Sequence, residues 1–177
     1  MLKQILWSGL LVSVPFLCHA EVSSASASGF TVTQSVTTTA SVKHAWQGMT
    51  GRIDRWWSPE HTWSGDAGNL YIKLAIGGCF CEHLKPKGEV EHLRIIYFNP
   101  GKEVRFDGAL GPLQSMAAQG RMIWKIDPAA GGSTITFSYM VHGSIDGGFS
   151  QIAPAVDGVL KQQIERLAEI LNGSQPK

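Results

Sequence analysis

Net charge is almost absent from this chain: 15 lysine and arginine side chains stand against 14 acids. Such a balance gives no electrostatic reason to hold nucleic acid or an anionic membrane surface. Long apolar runs are scarce too. The longest, Ile5 to Leu17, covers 13 residues, whereas a membrane-spanning helix needs about 20. No Gly-x-Ser-x-Gly elbow exists, which removes the commonest signature of a serine hydrolase. The glycine-rich stretches Gly108 to Leu113 and Gly143 to Gly148 lack phosphate-binding spacing, so no nucleotide site is read there. Ser138, His142 and Asp146 can be written as a triad, but closeness in sequence says nothing of geometry, and that reading is rejected. There are three cysteines, no internal repeat and no long linker.

The first twenty residues have the layout of a secretory leader. Lys3 is their only charge, the apolar run follows, and Cys18-His19-Ala20 ends on a small residue before Glu21. Cleavage after Ala20, and a periplasmic or secreted product, are therefore expected. A retained anchor is the alternative. A lipoprotein fits less well, because Pro15-Phe16-Leu17 before Cys18 lacks the required small residues. The reading divides the chain into leader 1–20, flexible lead-in 21–28, one domain 29–172 and tail 173–177.

Three strands run consecutively from Cys79 to Lys85, Gly88 to Phe98 and Lys102 to Leu110, with Pro86-Lys87 and Pro100-Gly101 as turns. Strand side chains alternate between faces. Strict parity gathers Phe80, Leu84, Leu93, Ile95, Tyr97, Val104 and Phe106 on one face. His83, His92, Arg94, Glu103, Arg105 and Asp107 fall on the other. Two carboxylates, Glu82 and Glu91, are assigned to the apolar face. A sheet with one apolar face is antiparallel and must pack against something.

Earlier, Phe30, Val32, Gln34 and Val36 alternate as a strand. Ser41 caps a helix with Val42, Ala45, Trp46 and Met49 on one side, and Ile53 to Trp57 form a second helical turn. Asn69 to Ile76 reads as another strand. Later strands carry Met122, Trp124 and Ile126, then Ile135, Phe137, Tyr139 and Val141, inward. Val156, Val159, Leu160, Gln163, Ile164, Leu167 and Leu171 mark the stripe of a long closing helix. The expected class is α+β: a curved antiparallel sheet of about seven strands around a C-terminal helix, with two small helices after the first strand.

Specific segments sharpen this. HAWQGMTGRIDRWWSPEHTW, GGCFCEHL followed by GEVEHLRIIYFNPGKEVRFDGALGPL, and APAVDGVLKQQIERL resemble the first helix, central strands and closing helix of the START-like, or SRPBCC, superfamily. That superfamily includes the birch-pollen allergen group, polyketide cyclases and heat-shock ATPase activator-like domains. The resemblance spans residues 30 to 170 and implies the helix-grip fold. It fixes no activity, since the scaffold hosts binders, carriers and unrelated enzymes. The export signal departs from the cytosolic members.

A carboxylate among apolar side chains must be paired, protonated or set at a solvent-filled cavity. Glu82 and Glu91 therefore have three readings: structural acids, contacts for a ligand hydroxyl or amine, or proton-transfer groups with raised pKa. Cys79 and Cys81 share a strand with His83. Spacing of about 6.6 Å between alternate side chains argues against one shared metal ion and against a local disulfide, so free thiols are the leading reading, with an intermolecular or strained local disulfide left open in an exported chain. No metal and no cofactor are assigned. Trp56 and Trp57 point about 100° apart; plain core packing is the leading reading, and the alternative sets one in the core and one at the mouth of a cavity.

The leading expectation is an exported domain that holds a small hydrophobic or amphipathic molecule between the sheet and the closing helix. Its candidate ligand-binding residues are Trp57, Phe80, Glu82, Glu91, Leu93, Tyr97, Phe106, Trp124 and Phe137. The alternatives are a cyclase or dehydratase using Glu82 or Glu91, and a protein-interaction module. Whether the chain is an enzyme stays open, as does its oligomeric state.

Overall fold

The computed structural model describes residues 19–174. The leader expected over residues 1–20 lies almost wholly outside them, as do the last residues of the tail. One eight-stranded antiparallel sheet runs through the domain: β1 (His19–Ala25), β2 (Gly29–Thr38), β3 (Leu70–Ile72), β4 (Cys79–Leu84), β5 (Gly88–Asn99), β6 (Glu103–Asp107), β7 (Ala118–Ala129) and β8 (Gly132–Gly143). Their spatial order is β1-β2-β8-β7-β6-β5-β4-β3. The helices are α1 (Val42–Gly51), α2 (Ile53–Trp56) and α3 (Ala153–Leu171).

Strand β1 corrects the count of seven and the reading of residues 21–28 as a flexible lead-in. Its backbone pairs along β2 from Ser35 to Phe30. Without it β2 would present an unpaired edge, and a row of open N–H and C=O groups is a liability. Small polar residues give no apolar alternation to read, so this strand follows from its neighbour's edge rather than from its own pattern. The stretch read as Asn69 to Ile76 shrinks to three residues, because Gly77 and Gly78 turn the chain back to hydrogen-bond with Ile95.

Alternation holds cleanly where the ladder is regular. Phe30, Val32, Gln34 and Val36 in β2, Met122, Trp124 and Ile126 in β7, and Ile135, Phe137, Tyr139 and Val141 in β8 are all buried. Ser41 caps α1, its hydroxyl accepting from His44 N at 3.3 Å. Helix α3 buries Leu160, Gln163, Ile164, Leu167, Ala168 and Leu171 at helical spacing, against β1, β2, α1 and α2. Polar clamps fix its position. The Gln163 side chain accepts from Ser58 N at 2.7 Å, Arg166 Nε donates to Trp56 O at 3.0 Å, and Gln34 Nε2 donates to Asp157 at 2.5 Å.

The middle of the sheet is filled by stacked rings rather than left hollow. Trp124 stacks on Phe137 at 4.8 Å and meets Phe106 edge-on at 4.8 Å, while Trp56 packs 5.5 Å from Trp124. Each of these rings is fully buried. Aromatic groups of this size supply much of the apolar burial available to a domain this small.

Candidate functional site

The site is made by an irregularity in β5. A three-residue turn, Lys85 to Lys87, sets Leu84 opposite Gly88, Glu82 opposite Val90 and Cys81 opposite Glu91. The next pair is Phe80 with Leu93, so His92 is an extra residue in the ladder. A bulge of this kind breaks the alternation and bends the strand. His92 and Leu93 both face inward, and Glu91 is turned out. The chain leaving β6 passes close over the bulge. A Cβ at Gly108 would stand 3.1 Å from His92 O, and the φ of +141° there suits glycine alone.

Four expectations are corrected here. Glu91 is exposed and pairs with Arg94 at 2.8 Å, so it does not share the interior with Glu82. His92, assigned by parity to the wet face, is 5% exposed. A second bulge in β5, after Ile95, leaves Tyr97 outside, with the Arg105 guanidinium 4.5 Å over its ring. Cys79 and Cys81 are disulfide bonded rather than free, their Cα atoms 5.4 Å apart. That is nearer than the straight-strand spacing of about 6.6 Å. The thiols are thereby used up, and His83 and His92 lie on opposite faces, His83 stacked on Tyr71 at 4.6 Å. The Cys-His set does not converge.

Glu82 is completely buried and fully partnered. Its Oε2 accepts from Trp63 N at 3.0 Å and from His92 Nε2 at 2.9 Å, and its Oε1 accepts from Ser64 N at 2.5 Å. Loss of water pushes the carboxyl up. The bonds from Ser64, Trp63 and His92 together outweigh that and hold it below the ordinary carboxylate range. The raised pKa expected from desolvation is thus reversed by hydrogen bonds to the charged form. His92 is shifted down as well, burial being the larger effect and the Glu82 carboxylate opposing it. At neutral pH the pair is carboxylate plus neutral imidazole, with the ring proton on Nε2 facing Glu82.

Glu82 also pins a strap. Residues 58–64 cross from α2 toward β3, held at Ser58 by Gln163 and at Trp63 and Ser64 by Glu82. Between these ends Trp57 Nε1 donates to His61 O at 2.9 Å, and the His61 ring bonds Gln162 at 2.9 Å.

Under the strap lies a cavity of about 540 Å³. Trp57, His61 and Trp63 form one wall. Val156, Val159 and Leu160 of α3, with Ile152 just before it, form the second, and Leu110, Pro112, Leu113 and Met116 of the β6–β7 connection the third. His92 reaches it from the sheet. The lining is predominantly apolar and includes no lysine or arginine. A second hollow of about 570 Å³ lies outside α1 and the end of α3, bordered by His44, Trp46, Arg52 and Arg55.

Sequence reasoning therefore names part of this site and misses part. Trp57 lines the cavity. Glu82 stands behind His92 instead of in the wall. Phe80, Leu93, Phe106, Trp124 and Phe137 fill the adjoining core and do not border the hollow. His92, Trp63 and the 110–116 connection were not singled out as ligand contacts. The parity reading rests on a two-residue turn at Pro86-Lys87, whereas the turn has three residues, Lys85 to Lys87.

No protein-family model matches the sequence, and no curated protein does. Solved structures do. An uncharacterised protein from Rhizobium leguminosarum aligns with a TM-score of 0.63 at 11% identity, over 89% of this chain and 99% of that one. CalU16 from Micromonospora echinospora aligns with a TM-score of 0.57 at 13% identity, covering 92% and 86% of the two chains. DynU16, from the dynemicin biosynthetic locus, gives 0.58 at 15% identity, covering 83% of this chain and 49% of that one. The fold is helix-grip-like. At these identities the likeness is one of architecture, and the chemistry must be argued from the cavity itself.

Acid should weaken the domain in two stages. His92 is held below its ordinary 6.5, so the unfolded chain takes up that proton first and stability declines as pH falls below about 6.5. Glu82 is held below its ordinary 4.5, so its contribution persists above that pH and is lost on further acidification through the folded value. Urea melts from pH 7.5 to 3.5 test this. His92→Phe should flatten the first stage and leave the second.

Proposed function

We propose that this chain is an exported START-like (SRPBCC) domain that binds a small hydrophobic or amphipathic molecule beneath the 58–64 strap. The observation that carries the reading is the cavity of about 540 Å³, predominantly apolar in its lining and touched by one buried imidazole, that of His92. Pockets of this size and composition, with few polar groups, are the usual form of small-molecule sites. The sequence resemblance over residues 30 to 170 and the helix-grip-like architecture support the family. The leader-like first twenty residues and the Cys79–Cys81 disulfide support export, since disulfides persist in oxidising compartments. Among the described residues no helix is long and apolar enough to cross a membrane.

The neutral fluorophore N-phenyl-1-naphthylamine should bind saturably to the purified mature protein, and native mass spectrometry should detect co-purified small molecules. Ala155 borders the cavity from the partly open face of α3, so a larger side chain there enters the hollow without disturbing the core. Ala155→Trp should weaken probe binding at least tenfold, about 1.4 kcal/mol, with the melting temperature nearly unchanged. Absence of saturable uptake by the parent protein would remove the reading.

An enzymatic reading of the cyclase or dehydratase type draws support from one observation, the Glu82–His92 pair at the cavity floor. It moves the proton-handling group from Glu82 or Glu91 to His92, because His92 alone of the three meets the cavity.

A further inference from the structure

The two ring nitrogens of His92 have different surroundings. Nε2 is committed to Glu82 at 2.9 Å. Nδ1 has no hydrogen-bond partner among the described residues, and it is not sealed in. The buried side-chain nitrogens without partners are Trp56 Nε1 and Trp124 Nε1, whereas His92 retains a small exposure and borders the cavity. A carboxylate accepts only, so Nε2 must carry the ring proton and Nδ1 presents a lone pair. Fixing the tautomer through the far nitrogen is the orienting role a carboxylate plays behind a reactive histidine.

The remaining lining restricts what that lone pair meets. No lysine or arginine borders the cavity, and Glu60 stands at its rim. A ligand carboxylate or phosphate would meet no lysine or arginine there, with Glu60 beside it and Glu82 behind His92, and the other imidazole of the lining, His61, is already bonded to Gln162 at 2.9 Å. A ligand carrying a hydroxyl donor meets the opposite situation.

We propose that His92 Nδ1 is the acceptor for a hydroxyl proton on the cavity's ligand, so that the preferred ligand class is an uncharged apolar molecule bearing a hydroxyl group. This rests on the cavity being the ligand site. In the bound state the hydroxyl donates to Nδ1. Where the proton transfers, the ligand O–H bond breaks, an N–H bond forms, and the imidazolium lies between the ligand oxyanion and Glu82. The proton returns to oxygen on release, and no further reactant is consumed.

The test compares 2-naphthol with its methyl ether, 2-methoxynaphthalene, each displacing N-phenyl-1-naphthylamine from the mature protein. The pair differs by the hydroxyl proton and one methyl group. The wild type should prefer 2-naphthol at least tenfold. His92→Phe should bind both alike, and His92→Gln, which keeps a polar side chain at the bulge, should retain probe binding with a reduced preference. Imidazole ¹⁵N spectra should show Nε2 protonated in the free protein and the Nδ1 resonance moving with 2-naphthol. Equal affinity of the wild type for the two compounds overturns the inference while leaving the cavity reading intact, and so does a preference that survives in His92→Phe. Failure of the wild type to take up even the displaced fluorophore removes the cavity reading, and this inference with it.

Discussion

Replacing Glu82 by alanine should lower the melting temperature by on the order of 10 °C. The carboxylate satisfies three donors at once: the backbone N–H groups of Trp63 and Ser64 and the His92 ring. Alanine leaves all three facing an apolar hollow. Each stranded buried donor costs about 1–3 kcal/mol, less where water enters. A total of about 3–5 kcal/mol is expected, and a domain of this length loses about 2–4 °C per kcal/mol. The 58–64 strap should loosen with it, so amide exchange at Trp63 and Ser64 should rise more than in the sheet. Glu91→Ala is the natural contrast. That acid is exposed and pairs only with Arg94, so its removal should cost under about 1 kcal/mol. Thermal melts of the two variants side by side decide the matter. Equal shifts would mean that the carboxylate at 82 holds nothing.

Gly120→Ala should be nearly as damaging, for a steric reason that leads back to the cavity. A Cβ at this position would lie 2.5 Å from Gly108 O, 2.5 Å from Tyr139 Cε2 and 2.6 Å from the Tyr139 hydroxyl. A backbone carbonyl whose own residue is hydrogen-bonded to Gly120 O at 2.9 Å and a buried ring have little room to retreat. The Tyr139 hydroxyl accepts from Leu110 N at 2.9 Å and donates to Gly108 O at 3.2 Å. Pushing the ring aside thus releases the start of the 110–116 connection, one wall of the hollow. Overpacking costs about 1–3 kcal/mol and the lost bonds add to it, so about 3 kcal/mol overall is expected. Affinity for N-phenyl-1-naphthylamine should fall in parallel. Gly158→Ala provides the control. It lies on α3 with nothing within 4 Å, where alanine favours the helix by about 1 kcal/mol, and it should raise the melting temperature slightly.

These two variants also show where sequence reasoning reaches and where it stops. Strands β2, β7 and β8 pair residue for residue without interruption, and their inward side chains follow parity throughout. The closing helix follows its apolar stripe in the same way, including the buried Gln163. Strand β5 carries two extra residues, His92 and Ile96, and each reverses the alternation. Parity errors there misplace Glu91, His92 and Tyr97 together, the residues on which a functional reading most depends. A bulge arises from pairing with a neighbour, so one strand's own composition does not announce it. The position of the cavity was hidden for a related reason. Rings such as Trp124 and Phe137 could equally line a hollow or fill one, and their stacking at 4.8 Å fills it. What opens instead is the space under a strap tied down by side chains far apart in sequence.

Amide chemical-shift mapping of the mature protein with N-phenyl-1-naphthylamine bears most directly on the assignment of this hollow as the ligand site. Perturbations should gather at Trp63, His92, Leu110, Val156 and Val159, and spare the outer groove at Trp46, Thr50 and Leu171. Shifts confined to that outer groove, or none at saturating probe, would contradict it.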